Sequence, residues 1–316
     1  MPAPSPVISP FAPNLEIRGI LLALAATLIW SLNFIIGRGI AETIPPFHLS
    51  FLRWFTAFIA LLPFTLVPVL RQRRHFLRHW RYYLATGLVG VSLVNTFIYI
   101  AAHSVAALNM SLIAASSPLF VLILSRLFYQ ELLFPRRLGG ICAVLAGVCL
   151  LITRGDLSAL ARLEFHSGDL SMLAGSFSFA LYTLLARRQP SGVGQFTALT
   201  VIFGLGILFL IPPMLLEKGP PIPLTAPILG VLLYLGLGTS VLGFWLWGKA
   251  IAYIGPARTA TIYYSLPLFC GLEAIIFLGE TVAWVHFASG ILILGGLLVA
   301  TRQPGPPLPS RPRTGS

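Results

Sequence analysis

Charged residues are scarce in this chain of 316 residues, where only 9% are Asp, Glu, Lys or Arg. Hydrophobic residues make up 57% of the chain and the mean hydropathy is +0.88. These values exclude an ordinary water-soluble domain of this length, so the sequence predicts a membrane protein.

Lysine is also nearly absent, with only Lys218 and Lys249, and no G-x-x-x-x-G-K-[ST] motif exists. ATP-driven pumping by this chain alone is therefore excluded. The six histidines are scattered, and the three cysteines, Cys142, Cys149 and Cys270, lie inside apolar runs. No metal site, cofactor, disulfide framework or enzyme chemistry is predicted.

Long apolar runs, in contrast, recur along nearly the whole chain, each long enough as a helix to cross about 30 Å of hydrocarbon. A helix is expected because the alternating pattern of a membrane barrel is missing. Ten spans are predicted, at approximately 17–38, 47–70, 82–103, 106–129, 137–153, 168–187, 195–216, 227–252, 256–279 and 283–301.

Basic residues outside these spans orient the protein. If the N-terminus is cytoplasmic, thirteen arginines fall on the cytoplasmic side and four basic residues on the other. The positive-inside rule then predicts cytoplasmic N- and C-termini. The net charge of +12 is thus explained by membrane orientation, with no nucleic-acid partner.

A constant offset of 149 residues relates the two halves of the chain. It superposes small, basic, proline and acidic landmarks, namely Gly19/Gly168, Arg38/Arg187, Gly87/Gly236, Pro118/Pro267, Glu131/Glu280 and Gly147/Gly296. Because each half has five predicted spans, an odd number, the second copy must enter the membrane in the opposite sense. Inverted repeats of this kind are typical of secondary transporters.

The sequence resembles the EamA-type branch of the drug/metabolite transporter superfamily. The resemblance rests on "IWSLNFIIGR" (29–38), "LRWFTAF" (52–58) and two tandem signatures, which begin at "ALNMSLIAASSPLF" (107–120) and "LGFWLWGKAIAYIG" (242–255). Predicted boundaries are a disordered tail at 1–15, a first five-helix repeat at 16–154, a loop at 155–167, a second repeat at 168–302 and a disordered tail at 303–316.

The resemblance implies a bundle in which spans one, three, four, six, eight and nine surround a central path. Pro118 and Pro267 interrupt helices at counterpart positions, which points to the site and its gates. Glu131 and Glu280 are expected to be structural or gate-stabilising groups. The small residues Gly139, Ala143 and Gly147 suit close helix packing, either within the bundle or in a dimer.

Polar and aromatic side chains deep in these spans are the candidates for lining the path. They are Trp30, Asn33, Asn95, Tyr99, Ser116, Ser117, Tyr182, Trp245, Tyr263 and Tyr264, together with Arg53 of the second span.

Two charged residues, Arg53 and Glu273, lie at about the same predicted depth. They are candidates for an ion pair with each other, while Glu273 is alternatively a proton carrier or a ligand for a substrate ammonium. A zwitterionic amino acid would find complementary partners in the pair. The resembling family usually has a small or apolar residue where Glu273 stands.

These features predict an inner-membrane secondary transporter that exports small metabolites by alternating access. By resemblance, amino acids come first, including aromatic ones as in YddG-type exporters, ahead of purines and drugs. The expected partners are a small-molecule substrate and the bilayer, with the chain as a monomer or weak homodimer. A membrane-embedded transferase and a receptor or scaffold are the alternatives from other classes.

Overall fold

The computed structural model describes residues 13–129, 135–152, 155, 166–219, 221–223 and 225–301. Every regular element in these ranges is helical. In the first half the α-helices are α1 (Pro13–Gly39), α2 (Pro46–Arg71), α3 (Arg73–Arg78), α4 (Trp80–Thr86), α5 (Val94–Ala102), α6 (Ala107–Ala114), α7 (Ser117–Tyr129) and α8 (Pro135–Ile152).

The second half repeats this order of long helices without a counterpart of the short α3. Its α-helices are α9 (Ser167–Arg187), α10 (Gln195–Leu216), α11 (Ala226–Leu233), α12 (Gly243–Ile262), α13 (Leu266–Leu278) and α14 (Trp284–Thr301). Within α12 the helix breaks at Gly255, where φ is +78°, a conformation that favours glycine.

Eight stretches of the described chain are long and apolar enough to cross a membrane. They are Leu15–Gly39, Pro46–Arg71, Trp80–Ala102, Ala107–Phe128, Ser167–Arg187, Gln195–Leu216, Ala226–Gly255 and Arg258–Leu278. These match eight of the ten predicted spans. The fifth and tenth correspond to α8 and α14, of which α14 contains a shorter apolar stretch, Trp284–Gly296.

The apolar surface of these helices fits a lipid environment. On α13, for example, Leu268, Leu272 and Ile276 are all more than 60% exposed and stand four residues apart, so they form one stripe. In lipid such a stripe is solvated by acyl chains, while the helix satisfies its own backbone groups.

Helix distortions recur at equivalent places in the two halves. A π-helical segment, Gly87–Leu93, joins α4 to α5, and a second, Tyr234–Leu242, joins α11 to α12. Likewise, a turn separates α6 from α7 just before Pro118, and a 3-10 turn, Tyr263–Ser265, precedes Pro267. Both pairs agree with the offset of 149 residues, so the two halves share backbone irregularities as well as regular helices.

Equivalent helices of the two halves run in opposite directions. In the pair α2 and α10, the Thr65 and Thr200 hydroxyls are 2.8 Å apart near one end, and His48 Nδ1 is 2.8 Å from a Glu217 carboxylate oxygen at the other. Low numbers in α2 therefore meet high numbers in α10. The repeats are inverted in the bundle.

Helices α8 and α14 are also antiparallel, and they pack mainly against each other. A Cβ at Gly147 would lie 2.8 Å from the Ile293 side chain, and one at Gly296 would lie 2.7 Å from the Gly140 carbonyl oxygen. The small residues thus allow close approach within the bundle, the first of the two interpretations of this stripe. A Cβ at Gly139, at the end of the stripe, would have no contact within 4 Å among the described residues outside its own turn of the helix.

Candidate functional site

A small central cavity of about 30 Å³ lies among helices of both halves. It is large enough for about one water molecule. Its lining consists of Trp30, Asn33, Phe34, Arg53, Val94, Asn95, Ile98, Phe179, Phe244 and Tyr263.

The cavity lies where the two repeats meet. Trp30 and Phe179 are equivalent under the offset of 149 residues, as are Asn95 and Phe244, and all four residues line it. Two residue pairs related by the repeat can share one cavity only if the axis that relates the halves passes close to it. This is the position at which inverted-repeat transporters bind their substrates.

Arg53 is the charged group of this cavity and is only 1% exposed. Its Nε donates to Ser240 Oγ at 2.7 Å. Its Nη1 donates to the side-chain oxygens of Asn33 and Asn95, both at 2.7 Å, and lies 2.9 Å from the Tyr99 hydroxyl oxygen. Arg53 therefore ties α2 to α1, to α5 and to the second π-helical segment.

The second half contributes most of the aromatic wall of the cavity. Trp30 packs against this wall, with ring centroids at 5.6 Å from Phe179 and 5.6 Å from Phe244. The indole Nε1 of Trp30 donates to the Thr239 carbonyl oxygen at 2.8 Å, which fixes the ring. The aromatic cluster also includes Tyr182, Trp247 and Tyr263.

Two larger vestibules lie at opposite ends of the bundle. The Glu280 vestibule, of about 650 Å³, is lined by Arg38, Ser104, Asn109, Asp169, Glu280 and His286 among others. The Gln195 vestibule, of about 500 Å³, is lined by Tyr82, Tyr182, Arg187, Gln195, Phe244 and Lys249 among others. Asp169 and Arg187 are near the two ends of α9, about 27 Å apart along the helix.

The central cavity is separated from the two vestibules unequally. Phe244 lines both the cavity and the Gln195 vestibule, so one aromatic layer divides them. No described residue lines both the cavity and the Glu280 vestibule. The bundle is thus closed at both sides of the cavity, with the thinner barrier towards Gln195.

Two carboxylates join the halves near the Glu280 end. Glu280 accepts hydrogen bonds from the backbone N–H groups of Ala107 and Leu108, at 2.7 and 3.0 Å, in the first turn of α6. Glu217 accepts from the N–H groups of Phe47 and His48, at 3.1 and 3.0 Å, at the start of α2. Each anion satisfies free donors at a helix N-terminus and is favoured there by the helix dipole.

Glu273 lies outside the central cavity. Its Oε1 accepts from Ser31 Oγ at 2.9 Å, and its Oε2 is buried without a hydrogen-bond partner among the described residues. Ser31 and Asn33 are two positions apart on α1, so they point about 200° apart around the helix. Glu273 and Arg53 therefore contact opposite faces of α1.

The direct Arg53–Glu273 ion pair suggested by the sequence is therefore absent between these two described residues. Each charged group instead forms hydrogen bonds with neutral side chains on its own side of α1, Glu273 with Ser31 and Arg53 with Asn33. Similar depth along two helices did not imply a shared face, because depth specifies nothing about rotation around the helix axis.

Of the predicted path residues, five line the cavity together, namely Trp30, Asn33, Arg53, Asn95 and Tyr263. Tyr99 contacts Arg53 and Asn33 through its hydroxyl, and Tyr182 lines the Gln195 vestibule. The second span thus contributes to the cavity through Arg53, which the resemblance had not implied, whereas no described residue of the fourth span lines it.

The remaining predicted residues have other surroundings. Ser116 and Ser117 donate to the Ile113 and Ala114 carbonyl oxygens at the break between α6 and α7. Trp245 stacks on Phe196, away from the cavity, and the buried Tyr264 hydroxyl has no partner among the described residues. Pro118 and Pro267 are buried beside the two breaks, and Glu131 lies outside the described residues.

Sequence reasoning missed the apolar part of the cavity, above all Phe34, Phe179 and Phe244, and the Arg53 ligand Ser240. The repeat held a signal for two of them, since Phe179 and Phe244 are the counterparts of Trp30 and Asn95. No group of three or more potential metal ligands is present in the described part of the chain.

Residues 17–153 and 166–302 each match the EamA-like transporter family. The chain belongs to this family. The resemblance seen in the sequence is thereby confirmed, and the family occurs twice, once in each half.

Relatives of this EamA-like transporter cover most of its length. It is 28% identical over 288 residues to an uncharacterized transporter of Archaeoglobus fulgidus, covering 90% of this chain and 97% of that protein. It is 24% identical over 293 residues to a probable amino-acid metabolite efflux pump of Salmonella typhimurium, covering 88% and 93%. A probable terminal-alkyne amino-acid exporter of Streptantibioticus cattleyicolor is 25% identical over 219 residues, covering 69% and 71%.

The fold is also found in a solved crystal structure, with a TM-score of 0.64 and 21% sequence identity over 90% of this chain and 97% of the other. Together, the family and the apolar helices make this chain a multi-pass transporter of the inner membrane. Its partners are a small-molecule substrate and the lipid bilayer, and the prediction that it is not an enzyme is confirmed by its family.

Proposed function

We propose that this EamA-like transporter exports amino acids and related metabolites by alternating access at the Arg53 cavity. The observation that carries the proposal is the closed cavity itself, which contains one buried cation and lies between two vestibules where the inverted repeats meet. Movement of one repeat against the other would open the cavity to each vestibule in turn.

The choice of substrate class draws support from two sources. Two relatives are named as a probable amino-acid metabolite efflux pump and a probable terminal-alkyne amino-acid exporter. The cavity pairs a guanidinium with aromatic rings, which suits a carboxylate with an apolar or aromatic side chain. A cationic drug would meet the Arg53 charge and is disfavoured.

The full topology is part of this proposal. We place ten spans in the membrane, as two inverted five-helix repeats at 16–154 and 168–302, with α8 and α14 as the fifth and tenth spans and both termini in the cytoplasm. The Glu280 vestibule then faces outward and the Gln195 vestibule faces the cytoplasm. Because the small-residue stripe of α8 is used within the bundle, we propose a monomer as the transporting unit.

Reporter fusions test this topology. Green fluorescent protein fused to the C-terminus should fluoresce, and alkaline phosphatase fused there should be inactive, while phosphatase inserted after Thr281 should be active. The opposite pattern would invert the whole assignment of vestibules to membrane sides.

Flux in proteoliposomes tests the transport proposal. Labelled amino acids, their N-acyl and keto derivatives, purines and cationic drugs should be compared for counterflow, with and without a pH gradient. We expect saturable flux of the carboxylates, and loss of at least about tenfold in Arg53→Lys, because an ammonium cannot reproduce the fixed fork of the guanidinium.

The matched control is Arg258→Lys, in which the same exchange affects an exposed arginine paired with Glu16. Surface pairs of this kind contribute at most about 1 kcal/mol. Equal loss of flux in both variants, or no flux of any carboxylate by the unaltered protein, would contradict the proposal.

A further inference from the structure

The Arg53 charge has no counter-ion in the described part of the chain. Its hydrogen-bond acceptors, Ser240, Asn33, Asn95 and Tyr99, are all neutral, and the Trp54 ring lies 5.0 Å from its guanidinium carbon. Neutral dipoles and a ring face stabilise a cation inside a membrane protein but leave its net charge uncompensated. The described lining of the cavity therefore carries a net positive charge.

Two donors beside the cavity remain unpaired. Arg53 Nη2 forms no hydrogen bond with any described residue, and the buried Nδ2 of Asn95 has no partner there either. Because Asn95 Oδ1 binds the guanidinium, its amide nitrogen points elsewhere, and both residues line the cavity. Two neighbouring donors match the two oxygens of a carboxylate.

The rest of the wall offers nothing ionic to an ammonium group. The other lining residues are Asn33, Tyr263 and six apolar or aromatic side chains, and no carboxylate is among the described residues that line the cavity. Glu273, the carboxylate of α13, contacts the opposite face of α1 through Ser31. An ammonium brought into this cavity would add a second positive charge in a medium of low dielectric constant.

We infer that the cavity recognises net-anionic solutes, with one carboxylate on Arg53 and Asn95 and an apolar or aromatic tail against Phe179 and Phe244. The inference rests on the proposed function and narrows its substrate class. Amino-acid metabolites whose amine is acylated or removed are preferred to the zwitterionic amino acids, because only they neutralise the cavity without adding a cation.

The test is a binding measurement on the purified full chain, with tryptophan fluorescence as the readout because Trp30 lines the cavity. The matched ligands are N-acetylphenylalanine, 3-phenylpropionate, phenylalanine and phenethylamine, which share one ring and differ in charge. We expect both anions to bind at least about tenfold more tightly than phenylalanine, and phenethylamine not to bind. Phenylalanine binding as tightly as the anions, binding of phenethylamine, or no binding of either anion would overturn the inference.

A charge-changing variant adds an internal counter-ion. In Asn95→Asp the new carboxylate lies beside Arg53, so we expect the affinity for N-acetylphenylalanine to fall by at least about tenfold while that for phenylalanine changes less. The control is Gln72→Glu, the same amide-to-acid exchange between α2 and α3, which should leave the selectivity unchanged. An undiminished anion preference in Asn95→Asp would overturn the inference.

Flux separates this inference from the proposal on which it rests. If the anions bind but do not cross proteoliposome membranes, the transport proposal fails and the recognition stands. If flux occurs but phenylalanine is carried as well as N-acetylphenylalanine, the transport proposal stands and the inference fails.

Discussion

At the scale of single residues, Arg53 is the group around which the site is organised. A buried arginine in a membrane protein is costly unless its donors are satisfied, and here four side chains from three segments supply acceptors to Nε and Nη1. The same bonds hold the guanidinium in one orientation and leave Nη2 without a hydrogen bond to any described residue. In the proposed site, structural support and ligand recognition are thus carried by different nitrogens of one residue.

Glu273 gives a prediction at the same scale. Glu273 contacts Ser31 and does not line the cavity. We therefore expect Glu273→Gln to keep the substrate affinity within about twofold of the unaltered protein, because the amide oxygen can still accept the hydrogen bond from the Ser31 hydroxyl. Binding affinity and flux are measured separately, each with and without a pH gradient.

Loss of gradient-driven flux at unchanged affinity would identify Glu273 as the proton-coupling group, and unchanged flux would make it structural. A fall in affinity of about tenfold or more would contradict its placement outside the cavity.

At the scale of helices, close packing between α8 and α14 depends on glycine. In Gly147→Val the new side chain would meet Ile293 and the Ser289 carbonyl oxygen, both closer than 3.0 Å to its Cβ. We expect destabilisation of about 2 kcal/mol, measured by thermal unfolding in detergent micelles.

Gly139 in the same helix provides the control, since a Cβ there meets nothing within 4 Å in the described structure. Gly139→Val should therefore be close to neutral for the monomer. If Gly139→Val instead destabilised the protein or dissociated a dimer, the small-residue stripe would be an interface between two copies of the chain.

The carboxylate at Glu280 gives a second prediction for helices. Glu280→Gln removes the charge and one of the two acceptors at the N-terminus of α6, at an expected cost of about 1 kcal/mol. The Glu280 vestibule should then open about five times more often.

Maleimide labelling of Asn109→Cys in an otherwise cysteine-free protein measures this opening, because Asn109 lines that vestibule. Labelling of Ser191→Cys in the Gln195 vestibule serves as the control and should not accelerate. Equal acceleration at both positions would indicate general loosening of the bundle.

Prediction from sequence worked best where polarity contrasts with its surroundings. Asn33, Arg53 and Asn95 stand out in apolar spans, and all three line the cavity. Phe34, Phe179 and Phe244 do not stand out, because an aromatic residue that faces a cavity and one that faces lipid look alike in sequence.

The sequence also pointed to Trp245 for the path, whereas the structure places Trp247 in the aromatic cluster. The π-helical segment Tyr234–Leu242 shifts the helical phase just before both residues, so the regular helical period assigns the wrong one to the interior.

At the scale of the whole molecule, the inverted repeat was visible in the sequence as one constant offset, and the antiparallel pairs α2/α10 and α8/α14 show it in space. What the offset could not reveal is the division of chemistry between the halves. The first half supplies Arg53 and three of its polar partners, Asn33, Asn95 and Tyr99, while the second half supplies Ser240 and its described residues line the cavity with aromatic rings only. Equivalent backbones thus carry different side chains around one cavity.

The measurement that tests alternating access most directly is a pair of spin-label distances across the two halves. One pair, Glu42 and Ala283, spans the Glu280 end, and the other, Arg78 and Ser191, spans the Gln195 end. Distances are recorded by double electron–electron resonance in a cysteine-free protein, with and without the combined Glu217→Gln and Glu280→Gln substitutions. The account predicts that the substitutions lengthen the Glu42–Ala283 distance and shorten the Arg78–Ser191 distance. Both distances increasing together, or Glu42–Ala283 increasing alone, would contradict rocking of two repeats around a central site.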